Sequence, residues 1–312
     1  MKIAIVGVGK IARDQHIPAI QNSLDWEFAA TVSRHGSFEG IPSYTDLATL
    51  LSERPDIACV SLCMPPVPRY DYAMVALNAG RHVMLEKPPG ASVAECIALE
   101  TKARDAKLAL YATWHSREAA CVDLAREWLA DKRLRRLSIA WCEDVRKWHP
   151  GQTWIWEAGG LGVFDPGINA LSILTKILPV PVRVVAAELS FPENCETPIA
   201  ATLNFGHPDG AEVTGTFDFR QLGDETWSIA AETDGGNLIL SEGGARLMVN
   251  GVERSPRVPD VNQAMSGEYP RLYANMAKLT NERRVDMDLS PLILVADAFL
   301  IGRRKIVEPF DK

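Results

Sequence analysis

Three groups of residues in this chain have the types and spacing to do chemistry. The first is Gly7-Val8-Gly9-Lys10-Ile11-Ala12, of the form G-x-G-x-x-A. In such a turn the first glycine permits the tight bend and the second lets a pyrophosphate approach the backbone. The small third residue lets the following helix pack close to its strand. The helix N-terminus then offers free N–H groups and a partial positive charge to phosphates. The second group is Glu86-Lys87-Pro88-Pro89. A lysine desolvated in a crevice, near other charges, can exchange protons near neutrality. A surface lysine before a proline turn is the competing reading. The third is the loop Gly159-Gly160-Leu161-Gly162, which leads to Asp165 and Asn169. Those two side chains, four apart, share one face of a helix. Asp165 directly before Pro166 also fits a helix N-cap, and Asn169 also fits an ordinary polar helix position.

The elements around these groups decide what they do. The apolar run Lys2–Val6 precedes the glycine motif and a helical pattern over Ile11–Ser23 follows it, the context that a dinucleotide site requires. Further apolar runs, Phe28–Ser33, Ile57–Cys63, His82–Leu85 and Leu108–Thr113, alternate with helical stretches at Leu47–Ser52, Asp71–Ala79 and Val93–Ala106. This alternation predicts βαβ units and a doubly wound parallel sheet of the Rossmann type. Ligands then bind beyond the carboxyl ends of the strands, where Lys87 stands. After about residue 118 the pattern changes. A helix over Arg117–Ala130 precedes runs at Leu137–Glu143, Val182–Ser190, Ile199–Phe205, Glu212–Phe219, Thr226–Thr233, Asn237–Ser241 and Arg246–Val249. Short turns such as Pro208-Asp209-Gly210 join several of them, which predicts a mostly antiparallel sheet. Helices near Pro270–Thr280 and Pro291–Arg304 close the chain. The expected organisation is a dinucleotide-binding α/β domain over residues 1–118 and an α+β domain with a large open sheet, flanked by helices, over 119–312. A crevice is expected between them.

Length and composition agree with two globular domains: 312 residues, 47% hydrophobic and 23% charged. The net charge of −7 and the lack of a basic stripe argue against nucleic acid as a partner. No apolar run approaches the roughly 20 residues of a membrane span, and the N-terminal run is too short for a secretion signal. A cytoplasmic protein with reduced thiols at its six cysteines is expected. Neither paired-cysteine nor His-Glu-x-x-His spacing occurs, so no metal is expected. Cofactor selectivity is legible at the end of the second strand, Thr31-Val32-Ser33-Arg34-His35. NAD-selective sites often carry an acid there for the ribose 2′-OH. Here a hydroxyl and a guanidinium replace it, and arginine forks onto phosphate. NADP is the preferred cofactor on this reading and NAD a possible one; a solvated arginine at a strand end is the alternative.

Gly7–Ala12, Glu86-Lys87-Pro88 and the glycine-rich loop leading to Asp165 together resemble the glucose–fructose oxidoreductase / inositol dehydrogenase family, over the whole chain. Within it the closer likeness is to bacterial aldose 1-dehydrogenases acting on D-galactose and L-arabinose. That likeness rests on Gly9-Lys10-Ile11-Ala12-Arg13-Asp14-Gln15-His16, on Ala112-Thr113-Trp114-His115-Ser116-Arg117, and on Glu143-Asp144-Val145-Arg146-Lys147-Trp148-His149-Pro150-Gly151-Gln152. The resemblance implies that Lys87 transfers the proton, that Asp165 assists it, and that a cis peptide precedes Pro88. It implies a cofactor set of Gly7, Gly9, Lys10, Ile11, Ser33, Arg34, His35, Cys63, Pro65, Glu86, Lys87 and Trp114. The family usually has histidine four residues after the aspartate, where this chain has Asn169. Asparagine does not titrate but binds a hydroxyl as donor or acceptor, which favours the aldose branch over the inositol branch. On this reading the C1 hemiacetal of a cyclic aldose is oxidised to a lactone, and Glu143, His149, Asn169 and His115 bind the sugar. A non-catalytic NADP-binding sugar sensor, a fate some relatives with this fold have met, is the alternative in another class; the presence of both Lys87 and Asp165 argues against it.

The chain has eight tryptophans, and Trp141, Trp148, Trp154 and Trp156 crowd one stretch beside His149 and Glu157. Indoles suit the apolar faces of sugar rings and suit a core equally well. Trp141, in a strand pattern, reads as core; Trp148 and Trp154 are candidates for sugar contact. One face of the large sheet is available for a homodimer.

Overall fold

The computed structural model describes residues 1–34, 36–256 and 267–311. In the first part of the chain, strands β1 (Lys2–Val6), β2 (Glu27–Val32), β3 (Ser43–Tyr44), β4 (Ile57–Leu62), β5 (His82–Leu85) and β6 (Leu110–Ala112) alternate with helices α1 (Ile17–Gln21), α2 (Leu47–Glu53), α3 (Arg69–Asn78) and α4 (Val93–Ala106). Asp46 and Ser92 cap α2 and α4 by accepting from the N–H groups of Thr49 and Glu95, which satisfies otherwise orphaned donors. The middle of the chain holds α5 (Val122–Leu129), β7 (Leu134–Cys142), α6 (Val145–Trp148), α7 (Phe164–Ile177) and strands β8 (Arg183–Pro192), β9 (Ala200–Gly206), β10 (Glu212–Asp218), β11 (Thr226–Thr233), β12 (Gly236–Ser241), β13 (Arg246–Val249) and β14 (Val252–Arg254). Then follow α8 (Glu268–Glu282), β15 (Val285–Asp286), α9 (Ser290–Ile301) and β16 (Arg303–Val307).

Two compact units result: Met1–His115 with Pro259–Leu289, and Ser116–Val258 with Ser290–Lys312. The sequence reading assigned all of 119–312 to the second domain. The difference lies in α8 and β15. β15 extends the first sheet by pairing with β6, and α8 buries Tyr269, Leu272, Tyr273 and Met276 in the same core as Ile3, Ile5, Ile17 and Ile20. A two-residue strand has no local signal strong enough to announce a partner so far away in sequence.

In the first unit the sheet order is β15-β6-β5-β4-β1-β2-β3, all parallel. This is the doubly wound order, and its reversal point lies between β1 and β4, where such sheets bind ligands. In the second unit the order is β14-β13-β12-β11-β7-β10-β9-β8-β16. Pairs β7–β10 and β8–β16 are parallel and the others antiparallel. Alternating burial along β10 turns Val213 and Phe217 inward, as expected of a sheet covered on one face. Helix α7 contacts α5, α9, β7 and β11. Its apolar residues, among them Phe164, Ile168, Leu171 and Leu174, are buried, so burial rather than propensity holds this helix in place. No helix among the described residues is long and apolar enough to cross a membrane.

Candidate functional site

In the first unit the glycine turn follows β1. Gly7 has φ +92°, and a Cβ there would stand 2.8 Å from the backbone nitrogen of Met64. Only glycine fits, because the loops after β1 and β4 touch at that point. Gly9 faces open space, with no atom within 4 Å of where its Cβ would be, so the turn is bare on the side where a pyrophosphate needs room. Lys10 pairs with Asp14, and Ile11 is 37% exposed. Ser33 and the exposed Arg34 follow β2, and His35 lies outside the described residues. Arg13 reaches the same loop by donating from Nη2 to the Ser37 carbonyl at 2.9 Å. Cys63 is buried at the end of β4 and Pro65 is exposed just beyond it. An open glycine turn, a helix start and two guanidiniums make a chemical fit for a dinucleotide.

Glu86 and Lys87 follow β5, and the Lys87–Pro88 peptide is cis. Lys87 is half-buried. Glu86 is buried and heavily bonded. Its Oε1 accepts from the Tyr269 hydroxyl at 2.7 Å and lies 3.2 Å from His16 Nε2. Its Oε2 accepts from the Lys87 N–H at 2.6 Å. His16 reaches it because the first helix widens into a π-turn over Ala12–His16, a distortion frequent at functional sites. The other ring nitrogen, Nδ1, stands 2.7 Å from the Tyr273 hydroxyl, which donates to Ser61 Oγ at 3.2 Å. Burial pushes the Glu86 carboxyl up, yet the hydrogen bond and charge of His16, with His115 and Lys87, hold it below the usual range. Burial likewise works against a charged His16, but Cys63, Tyr273 and Glu86 raise its pKa well above 6.5. Both directions favour the charged forms of the pair. Burial pushes the Tyr273 hydroxyl up to about 12.

Trp114 is buried, and its indole N–H donates to the Asp288 carbonyl at 2.8 Å. His115 belongs to this first unit. Its ring stacks on Tyr269, and its Nδ1 lies 2.5 Å from Glu268 Oε2.

In the second unit a different cluster forms. Glu143, 2% exposed, follows β7. Asp144 caps the short helix α6 by accepting from the Arg146 N–H, and the chain turns back at His149. His149 Nε2 then stands 3.0 Å from Glu143 Oε1. On the other side His149 Nδ1 is 3.5 Å from Asp165 Oδ2. That is ion-pair distance, and Nδ1 is a buried atom with no hydrogen-bond partner. The imidazole thus lies between two buried carboxylates. Asp165 is not the N-cap that its place before Pro166 suggested. The helix begins two residues earlier than that cap would place it, at Phe164, with Val163 in the cap position. Gly162, at φ +54° with its missing Cβ directed at the Pro198 carbonyl, makes that early start possible. Asp165 is thereby the second residue of the helix, with its carboxylate beside His149. Asn169, half-buried, lies one turn along the same helix.

Trp227, which the sequence reading passed over, completes the cluster. Its Nε1 donates to Glu143 Oε2 at 2.8 Å, and its ring is 5.0 Å from that of Trp148. The signal for it was non-local: it faces Trp141 across the β11–β7 pairing. Trp148 is 37% exposed and Trp156 is 4% exposed, packed on Phe219 and Phe310. Trp154 is half-buried, and Trp141 is core. Tyr269 and Arg69 were also missed. Tyr269 and Tyr273, four apart on α8, were a readable pair; Arg69 had no sequence signal.

Residues 1–113 match the model of the Gfo/Idh/MocA oxidoreductase family with an NAD-binding Rossmann fold. Over its full length the chain is 41% identical to the galactose 1-dehydrogenase of Pseudomonas fluorescens, covering 99% of this chain and 98% of that one. The crystal structure of a D-galactose-1-dehydrogenase from Rhizobium etli is similar at a TM-score of 0.93, with 50% identity over 99% of this chain and 97% of that one. A D-glucoside 3-dehydrogenase of Escherichia coli K12 is 28% identical over 58% of this chain and 55% of its own. The chain is an oxidoreductase and belongs to the Gfo/Idh/MocA family.

Proposed function

We propose that this protein is an NAD(P)-dependent aldose 1-dehydrogenase that oxidises the C1 hemiacetal of D-galactose, and of L-arabinose, to the lactone. The observation that carries this reading is the Glu143–His149–Asp165 string with Trp227 and the half-exposed Trp148. It offers carboxylate acceptors, an imidazole nitrogen without a partner and aromatic faces, which is the chemistry that holds a polyhydroxylated ring. The full-length similarity to galactose 1-dehydrogenases supports it.

A bound nicotinamide would supply the hydride acceptor for C1. Lys87 Nζ takes the proton of the C1 hydroxyl. Asp165 orients that hydroxyl, and Glu143, His149 and Asn169 hold the others. The turn at Gly7–Ala12 carries the pyrophosphate. NADP is the preferred cofactor, because β2 ends in Ser33 and Arg34 without an acid and Arg13 bonds into the same loop. D-galactose and L-arabinopyranose differ only by a CH2OH group, and pockets discriminate such differences modestly. The same reading includes a cytoplasmic enzyme and a homodimer through the exposed face of the second sheet.

The test is absorbance at 340 nm with an aldose panel, inositol and both cofactors. Turnover of galactose and arabinose is expected, with kcat/KM higher for NADP. Tight NADP binding with no turnover of any sugar would favour a sensor. Arg34→Ala should lower the NADP/NAD ratio of kcat/KM, and an unchanged ratio removes Arg34 from the 2′-phosphate site. Lys87→Met should lower kcat by about 10²–10⁴-fold and leave NADP binding measurable.

A further inference from the structure

The peptide that carries Lys87 is gripped from two directions by side chains with no part in the chemistry just described. Arg69, in the first turn of α3, is 2% exposed. Its guanidinium donates to the carbonyls of Glu86 and Pro88, on either side of Lys87, and to that of Met64. From the other direction the Glu86 carboxylate accepts the Lys87 N–H at 2.6 Å. That carboxylate is itself fixed by the Tyr269 hydroxyl at 2.7 Å and by His16 at 3.2 Å. Tyr269 arrives from α8, 183 positions away in sequence.

We propose that Arg69 and Tyr269 are positioning residues for Lys87, and that α8 returns to the first unit in order to supply one of the two grips. The proposal rests on the reading of Lys87 as the proton acceptor. Its physical basis is the kind of groups used. A buried ionic cluster can often be replaced by apolar side chains without loss of stability, so stability alone does not require two buried cations around one turn. A fixed geometry does. A guanidinium is planar and forked, and it locks several carbonyls in relative position where an ammonium would hold them as a point charge. The Tyr269 hydroxyl fixes which way the Glu86 carboxylate faces, and with it the Lys87 N–H. Placement matters because a displacement of about 1 Å at a reacting group costs on the order of 10²-fold in rate.

The experiment uses the full-length enzyme with NADP and galactose, and compares Tyr269→Phe, Arg69→Lys and Lys87→Met. Tyr269→Phe removes only the hydroxyl, and Arg69→Lys keeps the charge but loses the fork. For both, kcat should fall about 10-fold or more, while the Kd of NADP and the KM of galactose stay within about threefold. The isotope effect with galactose deuterated at C1 should rise, because the chemical step becomes slower. A purely structural role would lower Tm and leave kcat per folded molecule and the isotope effect unmoved. If kcat of folded Tyr269→Phe stays within about twofold of the parent, the proposal is overturned, whether or not Arg69→Lys folds. The two readings separate cleanly. Substantial turnover by Lys87→Met brings down the role of Lys87 itself. An inactive Lys87→Met beside a fully active Tyr269→Phe brings down only the positioning role.

Discussion

The two polar clusters are built from the same materials and finished differently. In the first unit, each Glu86 oxygen accepts a hydrogen bond, and both His16 nitrogens face a bonded group. His16, Ser61 and Tyr273 are all 0% exposed, and the shifts of His16 and Glu86 both favour their charged forms. In the second unit, Glu143 is bonded on both oxygens, but His149 keeps an unpartnered Nδ1 beside Asp165, and the cluster borders the half-exposed Trp148. Completed buried networks rigidify a fold, while an incomplete one is costly unless something finishes it. The first cluster is a closed brace. The second keeps one buried nitrogen without a hydrogen bond, which on the proposed function a sugar hydroxyl would complete.

The largest effect that separates them is on stability. Glu86→Ala leaves His16 charged and buried without its carboxylate, and breaking such a pair costs about 3–5 kcal/mol. Denaturant titration should show this loss, or no folded protein at all. A loss below about 1 kcal/mol would mean that the pair is not ionic and that the brace is an illusion of distance. The same brace should set the pH dependence of folding. Glu86 has a folded pKa below its unfolded 4.5, so its contribution is present above pH 4.5 and is lost as the pH falls through the folded value. His16 has a folded pKa well above 6.5, so its contribution is full below pH 6.5 and is lost as the pH rises through the folded value. Both contributions are complete only between 4.5 and 6.5. The stability difference between the parent and His16→Gln, measured against pH, should be greatest in that window and shrink above it. A difference that grows above pH 6.5 would reverse the sign assigned to His16.

Much of this was legible beforehand, and the parts that were not share a cause. β5, α4, β11 and β13 fall where their apolar patterns and caps put them. β16 was hidden because Arg303-Arg304-Lys305 continue a helical pattern and the segment becomes a strand only by pairing with β8; a charged edge strand is a normal protection against aggregation. β15 was hidden because its partner β6 is remote in sequence. In the site, Gly7 stood out by its motif and Asp165 by the glycine-rich loop before it, while Lys87, Glu143 and His149 stood out through the family resemblance that their stretches carry. Trp227, Tyr269 and Arg69 did not, because tyrosine and tryptophan in apolar surroundings look like core and an arginine near a helix start looks like surface. Asp165 was legible as a residue and misleading as a cap, since the early helix start depends on the left-handed Gly162.

On the open side of the comparison, Glu143→Gln keeps the shape and removes the charge that His149 and the Trp227 N–H meet. A hydrogen bond to a charged group contributes roughly 1.5–3 kcal/mol, so the KM for galactose should rise about tenfold or more, with the Kd for NADP unchanged. If stability falls by the full amount while KM stays constant, the second cluster is a brace too and the contrast fails.

The smallest and sharpest pair of variants deletes one hydrogen bond on each side. Tyr273→Phe removes a hydroxyl from His16 Nδ1 and Ser61. Trp227→Phe removes an N–H from Glu143 Oε2 and leaves an aromatic ring in place. Each deletion is worth about 0.5–1.5 kcal/mol, but the two should register in different measurements. Tyr273→Phe should lower unfolding free energy by about 1 kcal/mol and leave the sugar KM alone, because its partners are sealed from solvent. Trp227→Phe should change KM for galactose by severalfold while unfolding shifts little, because the released carboxylate oxygen lies in a cluster that a ligand can complete. Equal stability losses with no change in KM would show that the two clusters do the same work, and that the unpartnered nitrogen of His149 has no bearing on the sugar.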